Sequence, residues 1–89
     1  MIEVSYSVRF TKVLKKKIKQ QKDLDKRFVE KLKLFVGNPF HPSLKTHKLT
    51  GNLEGYYSFS MGYDLRVVFY FNTDNNAVFA DIGTHDEVY

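Results

Sequence analysis

The spacing of apolar positions along the chain changes twice. Over Ile2–Tyr6, the residues Ile2, Val4 and Tyr6 alternate with polar ones, the mark of a short strand. From Ser7 the spacing lengthens to that of a helix. Phe10, Val13, Leu14 and Ile18 fall on one side, Lys12, Lys15, Lys16, Lys19 and Lys22 on the other, and Ser7 is placed to cap the start. Asp23 or Asp25 restarts the chain. A second apolar stripe follows, Leu24, Phe28, Leu32, Phe35 and Val36, and Gly37-Asn38-Pro39 ends it, with glycine expected past the last turn. Residues 38–53 read as loop. Beyond them the period is two: Tyr57, Phe59 and Met61 share one face, Leu65, Val67, Phe69 and Phe71 the next, and Val78, Ala80 and Ile82 a third. The order β-α-α-β-β-β predicts a single α+β domain over residues 1–89. Its parts are an N-terminal strand, a helical hairpin and an antiparallel three-stranded meander, forming one sheet packed against both helices.

The alternation also predicts register, because a one-residue slip would turn the core set outward. With Gly62-Tyr63-Asp64 as the first turn, Met61 faces Leu65, Phe59 faces Val67 and Ser60 faces Arg66. With Thr73-Asp74-Asn75-Asn76 as the second, Asn72 pairs with Ala77, Phe71 with Val78 and Phe69 with Ala80. The same ladder sets Val67 against Ile82, Arg66 against Gly83 and Asp64 against His85. Opposed Cβ atoms stand about 4.5–5.5 Å apart. One outward patch is therefore expected to collect Ser60, Asp64, Arg66 and His85.

Charge sharpens this picture. The net charge is +4, but residues 1–50 carry 13 Lys and Arg against four Asp and Glu, and Arg66 is the one cationic side chain after them. Such asymmetry suggests a face that meets a polyanion or an acidic partner. There is no cysteine, so disulfides and thiolate metal sites are excluded. The three histidines fit no standard zinc spacing, and no metal or cofactor is expected. No apolar run approaches a membrane span, and the N-terminus lacks a signal peptide's apolar centre, which gives a cytoplasmic expectation.

On a basic protein, the patch suits phosphodiester cleavage. RNA supplies its own nucleophile, the 2′-OH. The protein must take a proton from it, neutralise charge on the phosphorane, and give a proton to the leaving 5′-oxygen. His85 is a candidate acid or base and Arg66 the charge stabiliser. His47, brought in from the loop, is the complementary proton carrier, and Tyr89 is placed to stack on a base. Lys12, Lys15, Lys16, Lys19, Lys45 and Lys48 are candidate RNA or ribosome contacts. Each has a plainer reading: His47 packed beneath its loop, Asp64 and Arg66 as a surface ion pair worth at most about 1 kcal/mol, Ser60 as a small filler.

The run from Asn38 to Phe71 and the ending "IGTHDEVY" resemble bacterial type II toxins of the RelE/ParE superfamily, nearest to the YafQ-like and RelE/StbE-like messenger RNA interferases. The likeness is carried by His47-Lys48-Leu49 with Gly51, then Gly55-Tyr56, Asp64-Leu65-Arg66, and Gly83-Thr84-His85 closing with Tyr89. It implies a ribosome-dependent endoribonuclease that cuts messenger RNA and arrests translation, neutralised by a cognate antitoxin in a hetero-oligomer. His47, Asp64, His85 and Tyr89 match four members of the YafQ-like catalytic pattern. Ser60 stands where that pattern has a strand histidine, and Arg66 offers a positive charge in its place. Two alternatives stay open on the sequence: a ParE-like gyrase poison, and a catalytically weak homologue that chiefly binds its antitoxin.

Overall fold

Five strands and three helices follow the chain in a computed structural model that describes residues 1–89. They are β1 (Glu3–Tyr6), α1 (Val8–Gln20), α2 (Leu24–Gly37), β2 (His47–Lys48), β3 (Tyr57–Gly62), β4 (Leu65–Thr73), β5 (Asn76–Thr84) and α3 (His85–Val88). Ser7 starts α1 as expected: its Oγ accepts the Phe10 N–H at 3.0 Å and donates to the Ala80 carbonyl at 3.0 Å, tying the helix to β5. Asp23 holds the N-cap position of α2 without a side-chain cap. Gly37 lies inside the last turn of α2 rather than past it. The cap is Asn38, extended at φ −162°, whose N–H returns to the Leu34 carbonyl. The turn closes without a left-handed residue, so glycine is not required there.

The strands form one mixed sheet in the order β1-β5-β4-β3-β2. The expected antiparallel meander is its centre, β3-β4-β5. Two edges were not foreseen. β1 runs parallel to β5, with α1, α2 and the following strands carrying the chain between them. On the far side β2 pairs antiparallel with β3, His47 with Ser58 and Lys48 with Tyr57, inside a segment the sequence reads as loop. Two residues between a Pro-containing turn and Gly51 are too few to show periodicity, so only the pairing reveals the strand.

Register holds at one end of the meander and slips in the middle. Phe59 pairs with Val67 and Ser60 with Arg66, but Gly62 rather than Met61 meets Leu65. The loop is Tyr63-Asp64 alone, both left-handed at φ 52° and 68°, as a two-residue hairpin of this hand requires. Across the second hairpin, Val67 pairs with Ile82 and Arg66 with Gly83, as the alternation predicts. Phe69, however, meets Phe79 and Phe71 meets Ala77. Ala80 is bulged out of β5 and Asn72 out of β4, so two one-residue offsets on opposite strands cancel. The buried set of β5 is therefore Ala77, Phe79 and Ile82, not Val78, Ala80 and Ile82.

The core fills the space between this face and the helices. Phe10, Phe35, Phe59, Phe69 and Phe79 are fully buried, with Phe35 edge-on to Phe69 at 4.9 Å and to Phe79 at 5.0 Å. Each such side chain contributes about 1.5–3 kcal/mol by burial, and each edge-to-face pair about 0.5–1.5 kcal/mol more. The other face of the sheet carries only the short α3, folded back over Gly83 of β5. No helix is long and apolar enough to cross a membrane.

Candidate active site

The sheet face turned away from α1 and α2 is organised around Arg66, in β4 between Ser60 of β3 and Gly83 of β5. Its guanidinium carbon stands 5.8 Å from the centroid of the Tyr89 ring. The His85 ring meets the same tyrosine edge-on at 4.5 Å. Arg66, His85 and Tyr89 thus form one cluster. The Arg66 Nε is buried and makes no hydrogen bond within the chain. A cationic donor in that condition suits an incoming anion.

The route by which His85 and Tyr89 arrive differs from the expected one. β5 ends at Thr84, opposite Leu65, and His85 opens a helix instead of extending the strand, so the expected pair of Asp64 with His85 does not form. Local chemistry dictates the break. The Glu87 carboxylate reaches back to accept the Thr84 N–H at 2.8 Å, the carboxylate half of a capping box. Gly83 makes room for the fold-back: a Cβ there would lie 2.9 Å from Glu87 Cβ and 3.0 Å from Val88 Cγ1. The Tyr89 N–H closes the turn on the His85 carbonyl at 3.0 Å. Four residues apart on one helical turn, the two rings meet. Lys17 Nζ, 2.9 Å from Glu87 Oε1, joins the capping group. The Lys17 ammonium, then the Thr84 N–H, hold the Glu87 carboxyl down at about 2. Glu87 and Lys17 were missed in the sequence reading, although Thr84-His85-Asp86-Glu87 carries the capping-box spacing in plain view.

His47 lies across the cleft. Pairing sets it beside Ser58, which shares a face with Ser60 and so with Arg66. Two strand spacings and two residues along the strand separate its backbone from that of Arg66, about 12 Å in all. His47 is exposed rather than packed under its loop, and its Nδ1 lies 3.1 Å from the Lys45 carbonyl. A carbonyl only accepts, so Nδ1 carries the proton and Nε2 is the free acceptor. His41 has the opposite arrangement: its Nδ1 accepts the Ser43 N–H at 3.2 Å and caps a short turn, a structural task. Tyr89 and residues Leu49, Thr50, Asn52 and Leu53, from the segment that follows β2, line a cavity of about 300 Å³.

The remaining candidates divide. Ser60 faces Arg66, but its Oγ accepts the Gly62 N–H at 3.1 Å and supports the hairpin bulge. Asp64 is exposed in the turn and forms no ion pair with Arg66 or His85, so that candidate surface pair is absent. Lys45 and Lys48 are exposed beside His47. Lys12, Lys15, Lys16 and Lys19 are exposed on α1, in the helix layer and away from the cluster. No group of three or more His, Asp or Glu side chains converges as a metal site would need.

Fold and site together describe a small α+β protein that gathers an arginine, a histidine and a tyrosine on one face of a five-stranded mixed sheet. The family model of the bacterial toxin of type II toxin–antitoxin systems, YafQ, matches residues 2–89, and the chain belongs to that family. No curated protein matches the sequence significantly. Among solved structures, YafQ from E. coli strain BL21(DE3) has the same fold at 21% identity and a TM-score of 0.80, over 100% of this chain and 99% of that one. The E. coli DinJ–YafQ complex matches at 26% identity and TM-score 0.75, with the same coverage. The YoeB–YefM complex from Staphylococcus aureus matches at 27% and 0.76, over 96% of this chain and 98% of that one.

Proposed function

We propose that this toxin is a ribosome-dependent endoribonuclease that cleaves messenger RNA in the cytoplasm and is held inactive by a cognate antitoxin. The observation that carries the reading is the meeting of Arg66 and His85 on the Tyr89 ring, on the sheet face turned away from α1 and α2. The partner is inferred from the DinJ–YafQ and YoeB–YefM complexes, in which related chains are paired with a second protein.

In this reading the RNA lies in the cleft with its scissile phosphate on Arg66. His47 Nε2, free because Nδ1 is committed to Lys45, takes the proton from the 2′-OH. The 2′-oxygen forms a bond to phosphorus and the bond to the 5′-oxygen breaks. His85 gives its proton to that leaving oxygen. One proton is gained and one is lost, and a 2′,3′-cyclic phosphate and a 5′-hydroxyl result. The Arg66 guanidinium neutralises charge on the phosphorane, a term worth about 2.7–4 kcal/mol for one well-placed donor. Tyr89 stacks on a neighbouring base, and Asp64, at the lip of the cleft, accepts from a ribose hydroxyl. Lys45 and Lys48 flank the RNA backbone, while the lysines of α1 meet ribosomal RNA on the helix side. The test is messenger RNA on programmed ribosomes: the wild-type protein is expected to cut it, and a folded His85→Gln variant to leave it intact.

A further inference from the structure

Lys17 is the odd lysine of α1. Its neighbours Lys12, Lys15, Lys16 and Lys19 are exposed, whereas the Lys17 side chain keeps only 13% of its surface. Its Nζ donates to Glu87 Oε1 at 2.9 Å, across 70 positions of sequence. The same oxygen accepts the Thr84 N–H at 2.8 Å. A single carboxylate oxygen therefore ties the first helix to the end of β5 and to α3. That turn needs a tie, because a helix of four residues cannot sustain itself in water. It bears His85 at its start and Tyr89 just past its end.

We propose that Lys17 and Glu87 are positioning residues, a latch that fixes the turn carrying His85 and Tyr89 beside Arg66 from outside the cleft. The inference rests on the nuclease reading above. Neither side chain has to touch RNA; the latch acts by geometry. A loosened turn lets the His85 ring leave Tyr89, and a displacement of about 1 Å at a reacting group costs about a hundredfold in rate. This separates Lys17 from the other lysines of its helix. A lysine that served only as a polyanion contact would change the affinity for ribosomes and its salt dependence, and Glu87 would be indifferent.

The experiment combines cleavage on programmed ribosomes with NMR of the free protein, for Lys17→Met, Lys17→Arg and Glu87→Ala. The expected result is a fall in kcat of about tenfold or more for Lys17→Met and Glu87→Ala, with KM for ribosomes unchanged, and recovery of most of the rate in Lys17→Arg. With the Tyr89 ring 4.5 Å away, the His85 ring protons are expected to be ring-current shifted in the wild type, to move toward free-imidazole positions in Lys17→Met and to stay put in Lys17→Arg. A change in KM alone, or His85 resonances unmoved in both Lys17→Met and Glu87→Ala, overturns the latch. If Lys17→Met does not fold, Glu87→Gln, which keeps an acceptor for Thr84 but no charge for Lys17, takes its place under the same criterion. A wild-type protein that cuts no RNA overturns the nuclease reading, and the NMR comparison then decides the latch by itself.

Discussion

The guanidinium of Arg66 and the ring of Tyr89 meet at 5.8 Å, joining the middle of the sheet to the last residue of the chain. Such a contact contributes about 0.5–1 kcal/mol when exposed, enough to bias where a terminal residue sits but too little to hold a fold. Its consequence is chemical, since the ring also meets that of His85, near-perpendicular at 4.5 Å. We expect Arg66→Lys to stay folded and to lose about a hundredfold in cleavage rate, because an ammonium offers no planar fork to a phosphorane. Tyr89→Phe should keep most of the rate and Tyr89→Ala should not. Single-turnover cleavage measures all three.

Gly83 is the hinge on which α3 turns back. A methyl group at this position meets Glu87 Cβ at 2.9 Å and Val88 Cγ1 at 3.0 Å, and backbone-tethered atoms cannot yield cheaply. Gly83→Ala should cost about 1–3 kcal/mol in urea unfolding. It should also speed hydrogen exchange at the Thr84 amide, whose bond to Glu87 is the first to be lost. Exchange at the wild-type rate would show that the turn accommodates the methyl.

Acid should release the same turn. The Glu87 carboxyl is lowered to about 2 by Lys17 and the Thr84 N–H, from an ordinary value of 4.5. A group whose pKa is depressed by folding contributes stability above its unfolded value and loses it as pH falls through the folded one. Glu87 therefore supports α3 fully above about pH 4.5, and that support fades down to about pH 2. Amide exchange at Thr84 followed from pH 5 to pH 2 should show it, after correction for intrinsic exchange, and Glu87→Gln should remove the acid-dependent part.

The Tyr63-Asp64 loop holds two non-glycine residues at positive φ. Each left-handed residue of this kind costs about 1–2 kcal/mol. Asp64→Gly should therefore raise stability by about 1 kcal/mol, read from denaturant midpoints. Since Asp64 forms no ion pair in the cluster, the variant should retain cleavage to within about tenfold. A far larger loss would move Asp64 from the lip of the cleft into the proton transfers.

Much of this was legible in the sequence. Ser7, Leu24, Phe28 and Phe35 announce the helices, and the alternation from Tyr57 to Phe71 sets Ser60, Arg66 and Gly83 in one row. The site-end register came out right because the bulges at Ala80 and Asn72 cancel. The burial of Phe79 was hidden by the same bulges, since alternation counts residues and cannot see one pushed out of line. The parallel partner of β1 was hidden because pairing between distant segments leaves no local period. α3 was hidden for another reason: a strand pattern carried through Thr84 outweighed a four-residue capping signal. Strand register and residue chemistry singled out His85 and His47, and the family likeness agreed, but the tautomer of His47 and the coupling of Lys17 to the terminal turn depend on contacts across the fold.

The most direct test is to map the ends of messenger RNA after incubation with programmed ribosomes. A nuclease built on Arg66, His47 and His85 leaves fragments that begin with a 5′-hydroxyl and end in a 2′,3′-cyclic phosphate, and a folded His85→Gln protein leaves none. Intact messenger in the presence of the wild-type toxin, or the same fragments from the His85→Gln variant, would contradict that chemistry.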